Sequence, residues 1–377
     1  MEWGLAGGQS ELRIRNAAGE SRSETLSIDS RAAALEHMLG RLWEGPARAI
    51  SGPNEIAAVG HRVVHGGPDF HEATRVTPEV IAAISDLSEF APLHNRAEVQ
   101  GIRLIERILG DAPQVAVFDT AFHHEMPEAA TVYPGPYAWL GEGIRRYGFH
   151  GINHAYCSRR AAQMLGKDPA ALHLITCHLG NGCSLAAIRD GRSIDTTMGF
   201  TPLDGLMMGS RSGAVDPGIL IHLIRKHGYG PGDLDRILNR ESGLIGLSGV
   251  SSDMREIIAA IQEGNPRAKL AFDVFLHRLR SFIGAMLASL GGLDALVFTA
   301  GIGENSPEVR AGACEPLGFL GLKIDPDRNR QPASDGDRDI ASPNSAVRVL
   351  VVRAQEDWEI AGACLNLLNG RASPPGE

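Results

Sequence analysis

The side chains able to do chemistry gather in a few glycine-rich stretches of this 377-residue chain. Arg62 lies inside an apolar run, "EIAAVGHRVVHGG", at the end that meets Gly66 and Gly67. Arg211 lies in "DTTMGFTPLDGLMMGSRSGAVDPG", Asp195 to Gly218, among glycines and other small residues. A guanidinium with small apolar neighbours needs an anionic partner, either a carboxylate or a ligand oxyanion. Asp119, at the tip of "VFDTAFH", is a possible partner, so a structural ion pair and an anion-binding site both stay open. "LGNG" (Leu179 to Gly182) and "AGIGEN" (Ala300 to Asn305) leave apolar runs through glycines. Such glycines let backbone N–H groups approach phosphate oxygens, and a following helix N-terminus adds a favourable dipole. Neither stretch is a Walker A loop or GxGxxG, and either alone reads as a tight turn. Two in one half of the chain make a nucleotide an even alternative.

Histidines also cluster, in "GHRVVHGG" (His61, His65), "PLHN" (His94), "DTAFHHE" (His123, His124) and "YGFHGINH" (His150, His154). No HExxH occurs, and the His150/His154 pair spans a glycine in a context that reads as non-helical. A zinc hydrolase is therefore disfavoured, and each histidine alone reads as structural.

These residues need a scaffold, and the surrounding pattern supplies an α/β one. "EIAAVGHRVVHGG" and "PQVAVFDTAFH" read as strands running into loops, with helices at "TPEVIAAISDLSEFAPLHN" and "NRAEVQGIRLIERILG" between them. "LHLITCHLGNGCSLAAIRDG" reads as a hairpin and "DALVFTAGIGENS" as a strand with a Gly turn and polar tip. Helices are expected at "PGILIHLIRKHG", "DLDRILNR", "SDMREIIAAIQEG" and "PRAKLAFDVFLHRLRSFIGAMLASLGG", and "VRVLVVRAQEDWEIAGACLNLLNG" is a strand entering a helix. The first residues are weakly patterned up to Ser27 and helix-like after it, and residues 327 to 345 read as a solvated loop. Two strand-to-glycine units suggest a duplicated α/β design. Asp195 to Gly218 has neither strand nor helix period, which makes it a binding loop.

Composition bounds the partners. Apolar residues are 43% and charged residues 21%, ordinary for a globular protein with room for two domains. A net charge of −9 argues against nucleic acid or an anionic membrane as the main partner. No apolar run reaches the length of a span and no signal peptide is visible. Five cysteines without a CxxC pair suit reduced thiols, so the cytoplasm is the expected compartment. Only four lysines occur, at 167, 226, 269 and 323.

In order and spacing, "GHRVVHGG", "PLHN", "VFDTAFH", "RRYGFHG", "HLGNGCS", "DTTMGFTPLDGLMMGSRSG", "FTAGIGENSPEVR" and "QEDWEIA" resemble the acetate kinase family from about residue 55 to 365. The resemblance implies two duplicated ribonuclease-H-like domains, the acetate and sugar kinase/Hsc70/actin fold, with ATP and Mg2+ (or Mn2+) in the cleft between them. It implies domains at 1–150 (substrate side) and 151–356 (nucleotide binding and dimerisation), with the helix 357–370 packing back on the first. The implied reaction is reversible phosphoryl transfer from ATP to acetate, giving acetyl phosphate and ADP, in a homodimer. Arg62 would bind the substrate carboxylate and the phosphoryl group, Arg211 would brace the transition state, and Asp119 would position the acyl oxygen or an arginine. His150 would hydrogen-bond the phosphoryl group, with His94 and Asn181 as lesser contacts. Val64, Leu93, Phe149 and Pro202 would form the methyl pocket. His178, Leu179, Gly180, Asn181 and Gly182, with Gly301, Ile302, Gly303, Glu304 and Asn305, would cradle ATP. Asp253, Met254 and Arg255 would lie beside the adenosine, and Glu356 would be a Mg2+ ligand.

The chain also departs from the family pattern. An opening loop of the form N-x-G-S-S-S-x-K, which supplies a metal-binding Asn, phosphoryl donors and a lysine, has no counterpart in "MEWGLAGGQSELRIRN". This start aligns with the family's second strand, so about 25 residues are unmatched, including donors each worth about 10²- to 10³-fold in rate. A mis-assigned start codon is the expected reason, and a weak or inactive form the alternative. "FHGINH", "TAGIGEN" and "AQED" stand where the family has FHGTSH, TGGIGEN and TNEE. Three readings follow: an acetate kinase, a kinase preferring a longer acyl chain such as propionate, or a nucleotide-binding pseudo-enzyme. One methylene is worth only about 1–3 kcal/mol in an apolar pocket, so sequence does not separate the first two.

Overall fold

A computed structural model describes residues 2–5, 9–15, 21–27, 30–45, 48–87, 95–332 and 336–370. The C-terminal half is built on a six-stranded sheet. Its strands are β7 (His173–Leu179), β8 (Cys183–Arg189), β9 (Arg192–Thr196), β10 (Ala295–Thr299), β11 (Arg338–Asp339) and β12 (Arg348–Val351), in the order β11-β12-β10-β7-β8-β9. β10 runs parallel to both β7 and β12, while β7, β8 and β9 form an antiparallel meander. Asp190 and Gly191 close the β8–β9 hairpin with positive φ at both positions, the geometry a two-residue turn of that hand requires.

Both faces of this sheet are covered, which explains its near-continuous apolar strands. Ile175, Cys177 and Leu179 share one core with Leu185, Phe298 and Val351 and with the long helix Pro266–Leu290. Leu174, Ala186, Val297 and Leu350 point the other way, against Cys157 and Ala161 of the helix Gly151–Leu165. The period of two thus sorts one strand between two cores.

The N-terminal half holds two three-stranded sheets. β4 (Val59–Val63) pairs in parallel with β6 (Gln114–Phe118), which pairs antiparallel with β5 (Thr74–Arg75). The crossover from β4 to β6 carries the helices Pro78–Asp86 and Asn95–Leu109. β1 (Glu2–Leu5), β2 (Gln9–Arg15) and β3 (Ser21–Ser27) form an antiparallel meander, followed by the helix Arg31–Trp43. Among the described residues no strand joins this meander to β4. The final helix, Glu356–Leu368, packs on β4 so closely that a Cβ at Gly60 would collide with Ile360 and Cys364.

Four expectations change. The weakly patterned start is a meander: "QSELRIR" alternates over only one short strand, placing Leu12 and Ile14 on one face, and "SRSETLS" is largely polar on both faces. "AGIGEN" is a short helix, Ala300–Asn305, begun directly at the end of β10 rather than a glycine turn. Within 327–345, β11 extends the sheet and Ile340 and Ala341 are fully buried, so that stretch is not simply solvated. His154 lies inside a helix and His150 caps it, with Gly151 at its first position; the glycine that obscured the helical period starts the helix.

Candidate active site

Arg62 is the last residue but one of β4 and Asp119 follows β6, its parallel neighbour, so the sheet register brings them together. The guanidinium grips the carboxylate through Nε to Oδ1 at 3.1 Å and through Nη2 to Oδ2. Asp119 is 1% exposed and Arg62 39%, so the arginine reaches past its buried partner towards solvent. Its Nε also lies 3.8 Å from Glu356 Oε2. Burial raises the proton affinity of Asp119, opposed by Arg62 and by a backbone bond from the His150 segment. Burial works against the Arg62 charge, but Asp119, Glu356 and Glu98 outweigh it and raise its pKa. Arg62 is therefore half of an ion pair whose guanidinium stays partly exposed.

Arg211 differs. Its Nη1 donates to the Pro202 carbonyl at 3.1 Å and lies 3.8 Å from Met208 Sδ. No carboxylate among the described residues pairs with it. Burial lowers its pKa, and the one opposing influence is the Cys183 thiol. The loop that carries it is fastened from inside: Met198, Leu206, Met207 and Met208 are buried in the large core. Gly213 has φ +68°, and a Cβ there would run into the Leu206 carbonyl. Arg146 adds hydrogen bonds to the Thr197 and Met198 carbonyls, both 2.9 Å, and Tyr133 Oη accepts from Phe200 N at 2.9 Å. Neither residue carries a signal in the sequence, because each acts on a segment more than fifty positions away.

The "LGNG" turn between β7 and β8 meets this loop. Gly209 N donates to Asn181 O at 3.0 Å, and a Cβ at Gly209 would collide with the Asn181 side chain. A Cβ at Gly182 would stand 3.5 Å from both Arg211 Nη1 and His150 Nε2, so the glycine leaves that corner open. His150 has φ +56°, an uncommon conformation for a residue with a side chain, and Gly151 N donates to Asp119 O at 2.8 Å. Its ring stacks on His178 with centroids 3.9 Å apart. Burial, then His178, Arg62, His154 and Arg211, hold its pKa well below the usual histidine value. Burial and Arg62 bring His178 down to about 3. Both rings are neutral at pH 7.

His61, His65 and His123 are engaged within the fold. His61 pairs with Gln114 at 2.7 Å, His65 Nδ1 accepts from Gly67 N at 2.9 Å, and His123 lies between Ser193 and the Phe149 carbonyl. Among the described residues no group of three metal-ligating side chains is assembled.

A pocket of about 630 Å3 opens at the "LGNG" turn, lined by Gly180, Asn181, Ser252, Asp253, Met254, Arg255, Ile258, Gly301, Ile302, Asn305, Ser306 and Glu308. Eight of these were expected from sequence. Ser252, Ile258, Ser306 and Glu308 were not; they flank the expected motifs by one to three residues. His178, Leu179, Gly182, Gly303 and Glu304 lie outside the lining. Glu304 accepts from Ala354 N at 2.9 Å, and Gly303 and Glu304 carbonyls accept from the fully buried Arg310, both at 2.8 Å. These groups brace the helix that forms the pocket wall. Val64 and Phe149 are buried together with Leu206 and Met207, and Pro202 is partly buried nearby in the loop. Leu93 and His94 lie outside the described residues.

A sheet-based α/β fold with a ligand-sized, glycine-walled pocket, and with Arg211 and His150 packed against the turn that supplies Gly180 and Asn181 to it, is the equipment of a phosphotransferase. A sequence model of the acetokinase family matches residues 6–362, and the chain belongs to that family. It is 60% identical over 365 residues to the acetate kinase of Gloeobacter violaceus, covering 97% of this chain and 89% of that one. The crystal structure of Porphyromonas gingivalis acetate kinase superposes with a TM-score of 0.88 at 41% identity, over 96% of this chain and 90% of that chain. A propionate kinase structure from Francisella tularensis gives a TM-score of 0.85 at 37% identity, over 94% and 91%.

Proposed function

We propose that the chain is an acetate kinase, transferring a phosphoryl group reversibly between ATP and acetate with acetyl phosphate and ADP as products. The observation that carries this reading is Arg211. It is a half-buried guanidinium without an acidic partner among the described residues, set against the "LGNG" turn whose Gly180 and Asn181 line the pocket. A guanidinium held there by a single carbonyl keeps donors in hand for a ligand anion.

The proposed steps follow from the residues. Acetate is already ionised at pH 7, its reference pKa being about 4, so no strong general base is needed. Arg62, steered by Asp119, holds the carboxylate against an apolar wall of Val64, Phe149 and Pro202, with Leu93 as a further expected contact. Arg211 meets the equatorial phosphoryl oxygens, where positive charge counts most. His150, being neutral, serves as a hydrogen-bond donor and not as an acid. Asn181 and Gly180 contact the phosphates, and Asp253, Met254 and Arg255 the adenosine. His94 remains a proposed minor contact.

Glu356 suits Mg2+, which keeps most of its waters and takes one or two carboxylates plus phosphates. Burial raises its pKa, Arg62 lowers it, and Asp119 and Asp357 raise it again, a surplus of negative charge that a dication would relieve. When bound, the ion would neutralise charge on the nucleotide phosphates.

We assign domains to 1–150 and 151–356, with the last helix returning to β4. The helix Pro217–His227 buries no residue, and Ile219, Ile221 and Ile224 are each about half exposed (48%, 50% and 47%), which suits a face covered by a second copy. Five free, buried cysteines support a reducing compartment such as the cytoplasm, and no described helix is long and apolar enough to cross a membrane.

The test is ATP formation from acetyl phosphate and Mg·ADP, with Arg211→Ala as control. Turnover lost in the variant supports the kinase; equal background in both refutes it. Comparing acetate, propionate and butyrate as acceptors sets the acyl preference, and a propionate preference would favour the second reading.

A further inference from the structure

Behind His150 stand three fully buried polar side chains in one hydrogen-bonded column. Thr176 Oγ1 lies 2.6 Å from His154 Nδ1, His154 Nε2 lies 2.8 Å from Ser184 Oγ, and Ser184 Oγ lies 2.8 Å from His150 Nδ1. A neutral imidazole has one N–H and one lone pair, and each hydroxyl has one proton. Only one arrangement gives both hydroxyl protons an acceptor. Thr176 O–H donates to His154 Nδ1, His154 Nε2–H donates to Ser184 Oγ, and Ser184 O–H donates to His150 Nδ1. Any other arrangement strands a buried hydroxyl proton on Thr176 or Ser184, since neither has a further acceptor among the described residues, and interiors avoid unmet donors.

We propose that Ser184, oriented by His154 and Thr176, is a positioning residue that locks His150 in the Nε2–H tautomer, so that the imidazole offers a donor to the transferring phosphoryl group. The opposite tautomer would turn a lone pair towards the phosphate anion. The open corner at Gly182 is the side His150 Nε2 faces. The stacked His178 is set the same way by a separate device: Asn153 Nδ2 donates to its Nδ1 at 2.8 Å, while Asn153 Oδ1 takes the Cys157 thiol at 3.6 Å. The functional half of the proposal rests on the reading of His150 as a phosphoryl ligand; the tautomer assignment does not.

Full-length protein carrying 15N-labelled histidine reports each tautomer by two-bond 1H–15N correlation, alone and with ADP plus acetyl phosphate. His150 and His154 are expected to carry their protons on Nε2 in both states. Ser184→Ala should mix the His150 tautomers and lower kcat about 10- to 100-fold with KM for ADP little changed. Thr176→Val should release His154 and lower kcat roughly tenfold, while Thr176→Ser, which keeps the hydroxyl, restores both. The Thr176 pair carries the test if Ser184→Ala does not fold. A proton on Nδ1 of His150 in the wild type, or spectra unchanged by Ser184→Ala, overturns the proposal. His150→Ala with undiminished turnover would overturn the phosphoryl role instead, and the spectra would decide the tautomer separately.

Discussion

Replacing Arg211 by alanine should separate activity from stability. In the folded protein its guanidinium donates to one carbonyl, Pro202 O, and faces no acidic group among the described residues. Losing one preorganised donor at the reacting charge costs about 10²- to 10³-fold in kcat, or about 2.7–4 kcal/mol of transition-state stabilisation. Stability should change by less than about 1 kcal/mol, because loss of the carbonyl bond is offset by relief of a desolvated charge. Asp119→Asn is the contrasting control. It breaks the pair with Arg62, whose guanidinium is 39% exposed, so the loss is about 1.5–3 kcal/mol, the range of charge-assisted hydrogen bonds. The assay is coupled ATP formation from acetyl phosphate, with thermal and urea unfolding on the same samples. Arg211→Ala that turns over within about threefold of wild type, or unfolds as early as Asp119→Asn, would refute the reasoning, since Arg211 would then be a structural residue.

Other consequences can be measured as directly. Ala300 sits at φ +64° where the family pattern has glycine, so Ala300→Gly should raise the urea midpoint by an amount equivalent to about 0.5–1 kcal/mol; a lower midpoint would show the strain is not real. Burial pushes the Glu98 carboxyl up to about 7, against the Val64 N–H and Arg62, which pull it down, and with Asp119, which adds to the rise. The folded state therefore holds a proton the unfolded chain has released, and stability falls as pH rises from about 4.5 to 7, by about 3 kcal/mol at most. Melting curves of Glu98→Gln and wild type should diverge in favour of the variant across that window, and parallel curves would remove Glu98 from the account. Ile221→Lys should convert a dimer to monomer in sedimentation velocity; a wild-type monomer at micromolar concentration would dispose of the proposed interface.

The sequence by itself determined the elements whose signal is local. β6, the β7–β8 hairpin with its "LGNG" turn, and the helices Asn95–Leu109 and Pro266–Leu290 are all readable, because period, caps and turn residues act over a few positions. It also exposed Arg62, Asp119 and Arg211 as charges in apolar company. Tertiary structure alone decided which of them pair. Arg62 and Asp119 meet through the parallel register of β4 and β6, fifty-seven residues apart, whereas Arg211 meets no carboxylate among the described residues. The helical setting of His154, the Thr176–His154–Ser184 column and the clasp of Arg146 on the loop are likewise contacts between distant segments. No local pattern encodes them, because burial of a polar group is satisfied by whatever partner the fold brings opposite it.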